Sequence, residues 1–184
     1  ETVTSIGDKA FANSGLTSAD LSAAVVIGNE AFADCTSLTS VTLSSVEIIG
    51  TGAFASCSSL REFIFSGNDY YELRSDALCG ALCGALYRIS DNTLLYYPAS
   101  SGATSFAVPD GTESIADGAF ANAVNLTEIT LPSTLTSIGK GAFAGCVGLA
   151  TVNINSVALN DLTADSDIFS GATSLTVNVN EGVT

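Results

Sequence analysis

Apolar positions in this chain follow one short frame that returns again and again. SIGDKAFANSGL at 5 to 16, VIGNEAFADCTSL at 26 to 38, IIGTGAFASCSSL at 48 to 60, SIADGAFANAVNL at 114 to 126 and SIGKGAFAGCVGL at 137 to 149 align on I-G-x-x-A-F-x-x-C-x-x-L. The Phe of the frame falls at 11, 32, 54, 120 and 143, and a decayed copy, DIFSGATSL, adds Phe169. The intervals are 21, 22, 66, 23 and 26 residues, and 66 is three times 22. A period in the twenties predicts a solenoid, in which one unit cannot bury its own apolar face and stacks on the next.

After each frame Leu the periodicity changes to two. LTSADL, LTSVTL, LREFIF, LTEITL and LATVNI begin at 16, 38, 60, 126 and 149, and alternation with β-branched members predicts short strands with one buried face. Val41 and Leu43 then face inward, with Ser40 and Thr42 outward. A turn follows, clearest as LPST at 131 to 134, and then a second short apolar run ending at the next frame Ile, as in VEII, TESI and LTSI. Each unit therefore reads as strand, turn, short strand and a Gly-opened segment short enough for one helical or 3-10 turn.

Residues 66 to 105 break the frame. GALYRISDNTLLYYP at 84 to 98 shows two alternating runs about a Ser-Asp-Asn turn, a hairpin signal. ALCGALCGAL at 77 to 86 repeats a tetrapeptide, and Leu78, Leu82 and Leu86 share one helical stripe, which suggests a short buried helix.

The frame resembles the BspA-like leucine-rich repeats of bacterial surface proteins. That resemblance extends to the middle, because the family often carries G-x-L-Y, a turn, and L-I-Y-Y-P before a run ending P-D-G, whereas the ALCGALCGAL run departs from it. It implies a right-handed superhelix with a parallel β-sheet on the concave face, short strands and 3-10 or helical turns elsewhere, and an inserted β-hairpin near 84–98. Residues 1–184 then form a single solenoid domain, with regular repeats at 1–65 and 106–184 and the irregular segment at 66–105. It also implies adhesion to host proteins or other cells, from a secreted or surface-anchored position.

Composition narrows the chemistry. The chain has 184 residues, enough for one core or one array of repeats. Nineteen acidic residues against five basic ones give a net charge of −14, which repels phosphate backbones and anionic lipid. Neither nucleic-acid binding nor membrane insertion is expected, since the longest weakly polar run is about half a membrane span. With no initiator Met and no basic-then-apolar start, no targeting signal is visible, and the chain reads as part of a longer one. The absence of His removes Ser-His-Asp, Cys-His and HExxH chemistry. Paired carboxylates could still act as acid and base, but their spacing does not suggest it. No enzyme activity and no cofactor are expected.

Cys35, Cys57 and Cys146 share a column with Ser14, Ala123 and Ala172. A column that accepts Ala reads as packing, and such thiols behave as small buried hydrophobes. A Cys35–Cys57 bridge is within reach at a rung spacing of about 4.8 Å, yet side chains stacked in register point the same way. Cys79 and Cys83 at i and i+4 fit neither a disulfide framework, the cysteine count being odd, nor a four-ligand zinc site. Asp161, Asp165 and Asp167 invite a calcium reading, but the spacing is not that of an EF-hand. The one sequon, at Asn125, has the predicted core residue Leu126 in its middle.

Partner binding in a solenoid falls to outward positions that line up between rungs. Those columns are Ser40, Glu62, Glu128 and Thr151, and Thr42, Ile64, Thr130 and Asn153. Ile64 is the odd member, unless a register shift buries it beside Phe63 and Phe65. The second candidate is aromatic, because all five tyrosines, Tyr70, Tyr71, Tyr87, Tyr96 and Tyr97, lie near the hairpin. The competing reading has Tyr87 and Tyr96 facing each other across the hairpin as stabilisers. Together these readings describe a non-catalytic module for a protein partner, with the alternative of a structural spacer that displays another domain away from the cell surface.

Overall fold

The computed structural model describes residues 3–65, 67–75, 84–155 and 167–179. Its strands are short, as the alternating runs predict. They are β1 Ser5–Ile6, β2 Ser18–Asp20, β3 Val26–Ile27, β4 Ser40–Thr42, β5 Ile48–Ile49, β6 Glu62–Ile64, β7 Tyr71–Arg74, β8 Ala85–Arg88 and β9 Thr93–Tyr96. After these come β10 Ser105–Ala107, β11 Ser114–Ile115, β12 Glu128–Leu131, β13 Ser137–Ile138, β14 Thr151–Ile154 and β15 Thr176–Val179. They form two parallel sheets over the first three repeats, β1-β3-β5 and β2-β4-β6, and a third, β10-β12-β14-β15, over the last ones. The fourth sheet, β13-β11-β9-β8-β7, is parallel from β13 to β9 and antiparallel beyond.

The Gly-opened segment folds for a reason the frame only half displays. Alternate N–H groups close tight turns, as Ala31 to Gly28 O, Ala33 to Glu30 O and Cys35 to Phe32 O. Those between them donate to the next rung, as Glu30 to Thr51 O, Phe32 to Ala53 O and Asp34 to Ala55 O. This geometry places two residues per segment at positive φ, filled by Lys9, Glu30, Gly52, Gly118 and Gly141 and then by Asn13, Asp34, Ser56, Asn122 and Gly145. Gly, Asn and Asp tolerate that region best, which is why they crowd those two columns. The result is a run of single turns rather than continuous helix.

The frame Gly answers a different need. A Cβ on Gly28 would lie 2.6 Å from Asp8 N, and one on Gly50 would lie 2.5 Å from Asn29 N, so each contact is with the rung behind. Gly7 meets nothing within 4 Å, and the same column holds Ala at 116. Ala116 follows a shortened rung at β9, which supplies no such turn behind it to collide with. The next column clips rung to rung. Asp8 Oδ1 accepts Asn29 N–H at 2.7 Å, Asn29 Oδ1 accepts Thr51 N–H at 2.9 Å, and Asp117 Oδ1 accepts Lys140 N–H at 2.7 Å.

Two cores flank the irregular segment. One runs from Ile6 to Phe63 and includes Tyr71, Leu86 and Tyr96, and the other runs from Ala85, Tyr87, Leu94 and Tyr97 to Ile168. The hairpin β8–β9 therefore forms the wall between them. Frame Phe rings stack as a ladder, Phe11 on Phe32 at 5.2 Å and Phe32 on Phe54 at 5.6 Å, then Phe120 on Phe143 at 4.8 Å and Phe143 on Phe169 at 5.2 Å. Tyr97 stacks on Phe120 at 4.8 Å, and its N–H reaches Ala119 O as frame Phe N–H groups do. Residues 93–107 are thus a rung of their own. From Leu94, paired with Ile115, to Tyr97 is three residues, whereas Ile115 to Phe120 is five, so this rung lacks two residues of the turn. The described residues complete seven rungs.

Candidate partner-binding face and the tyrosine hairpin

The outward columns lie where the alternation places them. Ser40 pairs with Glu62 and Thr42 with Ile64, while Val41 and Phe63 between them are buried. Ile64 is 44% exposed, so its register is regular and it presents an apolar side chain outward. On the other sheet Glu128 pairs with Thr151 and Thr130 with Asn153, with Ile129 and Val152 buried. A polar ladder runs across this face. Asn153 Nδ2 donates to Glu128 Oε1 at 2.7 Å, and Asn178 Nδ2 donates to Asn153 Oδ1 at 2.9 Å. The columns do not continue from β6 to β10, because these strands belong to separate sheets. The face is therefore two patches, Glu62 and Ile64 on one, Glu128, Thr130, Thr151 and Asn153 on the other.

The tyrosines are placed otherwise than the interface expectation has them. Tyr71, Tyr87, Tyr96 and Tyr97 are buried, and Tyr70 alone is exposed. Tyr87 and Tyr96 do not face each other either, since a bulge pairs Leu86 with Tyr96 and Tyr87 with Leu94. They point to opposite cores. The hydroxyls explain why Tyr is used there instead of Phe. Tyr71 Oη donates to Glu47 O at 3.1 Å and accepts Ile49 N–H at 2.8 Å, so it takes the place of the missing neighbour of β5. Tyr96 Oη donates to Cys57 O at 2.7 Å and Leu60 O at 3.2 Å, and its ring meets Phe63 edge-on at 5.6 Å. Asn68 Nδ2 donates to Leu43 O and Val46 O at 2.7 and 2.8 Å. Each is a side chain satisfying backbone groups that an eighth rung would have met. Arg74 sits 4.7 Å above the Tyr87 ring, and Thr112 Oγ1 donates to Tyr87 Oη at 3.3 Å. Burial pushes the Tyr87 hydroxyl up to about 12 and that of Tyr96 well above the usual phenol range.

The cysteine column has a donor's role beyond packing. Cys35, Cys57 and Cys146 are buried and free, and each Sγ donates to the frame Phe carbonyl of the rung behind, at Phe11, Phe32 and Phe120, at 3.0, 3.0 and 3.1 Å. Ala123 follows the shortened rung, which places no such segment behind it, so the column is relaxed there. Burial raises Cys57 to about 12 and Cys146 to about 11, which keeps the thiols protonated and unreactive. The readings of Cys79, Cys83, Leu78 and Leu82 and of Asp161 and Asp165 lie outside the described residues. The carboxyl shifts run downward. A hydrogen bond from Ser22 lowers Asp20, and the Arg88 guanidinium lowers Asp91. That is the direction of structural carboxylates, opposite to that of a general acid.

A stack of about twenty-residue rungs with one parallel sheet strand per rung at the Leu-x-x-[IV]-x-[IL] run defines a leucine-rich-repeat solenoid. The chain belongs to the BspA type leucine-rich repeat region family, whose pattern matches six copies over residues 1–81 and 93–184. The second span begins at β9, where the structure places the shortened rung. A search of the curated proteins finds no match. Among solved structures, a leucine-rich cell surface protein from Faecalibacterium prausnitzii is similar at a TM-score of 0.64 and 21% identity, over 97% of this chain and 57% of that one. A leucine-rich repeat protein from Eubacterium ventriosum is similar at 0.66 and 24%, over 95% and 57%. One from Bacteroides ovatus is similar at 0.52 and 23%, over 97% and 46%. These likenesses show the fold, and the chain spans about half the length of each.

Proposed function

We propose that this chain is a non-catalytic protein-binding module of a secreted or cell-surface protein, acting as one domain and engaging a protein partner through its outward sheet columns. The observation that carries the reading is Ile64, exposed at 44% among polar neighbours on β4 and β6. A pure spacer has no use for an apolar side chain on that column. Around it, Glu62 supplies charge, and Glu128, Thr130, Thr151 and Asn153 supply a hydrogen-bonding patch on the second sheet. The F. prausnitzii structure is described as a cell surface protein, which agrees with this setting without naming a partner.

The test is a binding screen of the chain against extracellular-matrix and serum proteins. A ligand found there should lose at least tenfold in affinity for Ile64→Ser combined with Glu62→Ala, about 1.4 kcal/mol or more. Glu128→Ala with Asn153→Ala reports on the second patch. If a ligand binds both double variants as tightly as the parent, the sheet face is not the contact.

A further inference from the structure

In the frame segments that open at Gly7, Gly28 and Ala116, three alternate N–H groups serve the ladder, and in the one that opens at Gly139 two do, Phe143 to Ile168 O and Gly145 to Ser170 O. Lys9, Phe11 and Asn13 donate to Asn29, Ala31 and Ala33, while Glu30, Phe32 and Asp34 donate to Thr51, Ala53 and Ala55. Gly118, Phe120 and Asn122 donate to Lys140, Ala142 and Ala144. The equivalent groups of the third rung, on Gly52, Phe54 and Ser56, donate to no acceptor among the described residues. The rung that should receive them is the shortened one, whose β9 runs straight to Tyr97 without the Gly-x-x turn.

The missing turn leaves a notch. A cavity of about 360 Å³ opens between Gly50, Thr51 and Gly52 on one side and Ala116 and Gly139 on the other, with Leu95 also in its lining. Its size is within the range of ligand clefts, roughly 300–1,000 Å³. Beyond the notch the walls converge, since a Cβ on Gly118 would come within 3.0 Å of Ala55 Cβ. A second, more open hollow lies along the same walls, lined by Ser56, Gly118, Ala121 and Gly141, but the notch itself sits where two residues are absent. Gly50, Gly52, Ala53, Ala116 and Gly139 leave room for backbone to approach, and Arg88, Asp91 and Asp117 add charge to the lining.

The geometry points to a peptide-docking site. An extended segment of a partner protein, rich in Gly, Ala or other small residues, enters the notch and supplies the absent turn, its carbonyls accepting from Gly52 and Phe54. Main-chain hydrogen bonds would give affinity and the small walls would give selectivity, as in strand addition to a sheet edge. This site is separate from the sheet columns and stands whether or not they bind.

The probe is the blocked peptide acetyl-Ile-Gly-Asp-Gly-Ala-amide, read by amide hydrogen exchange. At a peptide concentration ten times its Kd, exchange at Gly52 and Phe54 should slow about tenfold, while Phe32 and Phe120, already bonded, stay unchanged. Ala116→Leu fills the notch and should abolish the effect. Thr51→Phe, at an exposed rim position, does the same without touching the core, and decides the matter if the first variant fails to fold. A control peptide with Pro in place of both Gly should have no effect. The proposal is overturned if the probe leaves both amides unchanged, or if it slows them equally in the filled variants.

Discussion

The two stacks meet the hairpin in opposite ways. The C-terminal stack treats β9 as a rung: β9 pairs with β11 in parallel register, Tyr97 joins the aromatic ladder, and Tyr97 N–H donates to Ala119 O. The N-terminal stack treats the same segment as a lid. There β5 has no strand neighbour beyond it among the described residues, and the Tyr71, Tyr96 and Asn68 side chains meet backbone groups of that stack. Among the described residues, continuity through backbone is thus confined to one side, and side-chain hydroxyls and the Asn68 amide close the other. Because stability in such stacks is mostly a sum over nearest neighbours, this junction divides the molecule into a half that grows from the hairpin and a half that rests against it.

The largest test of that division is to remove the rings. Tyr97→Ala should cost about 3–5 kcal/mol, as expected for deleting a fully buried aromatic, and should lower hydrogen-exchange protection in 93–131. Tyr71→Ala should instead loosen 47–64. If both variants lower protection equally along the whole chain, the two stacks behave as one cooperative unit and the division is wrong.

Removing only the hydroxyls separates lid from rung. Tyr71→Phe leaves Ile49 N–H and Glu47 O without their partner, and Tyr96→Phe leaves Cys57 O; each should cost about 1–3 kcal/mol. Tyr97 Oη meets the half-buried Ser101 hydroxyl at 3.2 Å, so Tyr97→Phe should cost about 1 kcal/mol or less. Chemical denaturation midpoints of the three variants rank them directly. An equal loss at Tyr97 would place it among the capping hydroxyls.

How much of this was legible depends on whether a residue repeats. The period, the strands and the inward set were readable because Phe32, Leu38 and Val41 recur at the same offsets in every copy. The cap was not, because Tyr71 and Tyr96 act once, through hydroxyls that reach 22 and 39 residues back along the chain. A cluster of tyrosines invites an interface reading, yet four of them are buried, and the polar tips of Tyr71 and Tyr96 serve backbone groups. The shortened rung leaves one trace in the sequence, since counting 23 residues back from Phe120 lands on Tyr97. The trace is faint because Tyr replaces Phe and the frame Gly is gone with the turn. The Asp8 and Asn29 column also held a signal, since an Asx side chain is needed only where another frame segment follows, and at position 51 it gives way to Thr. The site columns were readable as outward positions, but the break between β6 and β10 was not, because it falls in the one stretch, 66 to 105, where the frame gives no register.

The smallest expected effect lies at the hairpin tip and concerns charge alone. Arg88 Nε and Nη2 donate to Asp91 in a fork at 2.7–3.0 Å, and Asp91 Oδ1 also accepts Thr93 N–H at 3.3 Å. The Arg88 hydrogen bonds hold the Asp91 carboxyl below its ordinary value. A folded-state value lower than the unfolded one, about 3.9, makes the contribution complete above that pH and progressively lost as pH falls through the folded value. Arg88 is shifted upward, far above this window, and does not titrate within it. The Asp91 side chain is about half exposed, so solvent screening holds the gain to about 1 kcal/mol or less. Urea midpoints of the parent and Asp91→Asn should therefore differ by a constant small amount from pH 5 to 8 and converge below pH 4. Because the fork fastens the tip joining β8 to β9, a difference larger than that would mean that the hairpin holds both stacks through this one turn, and that the lid is no weaker than the rung.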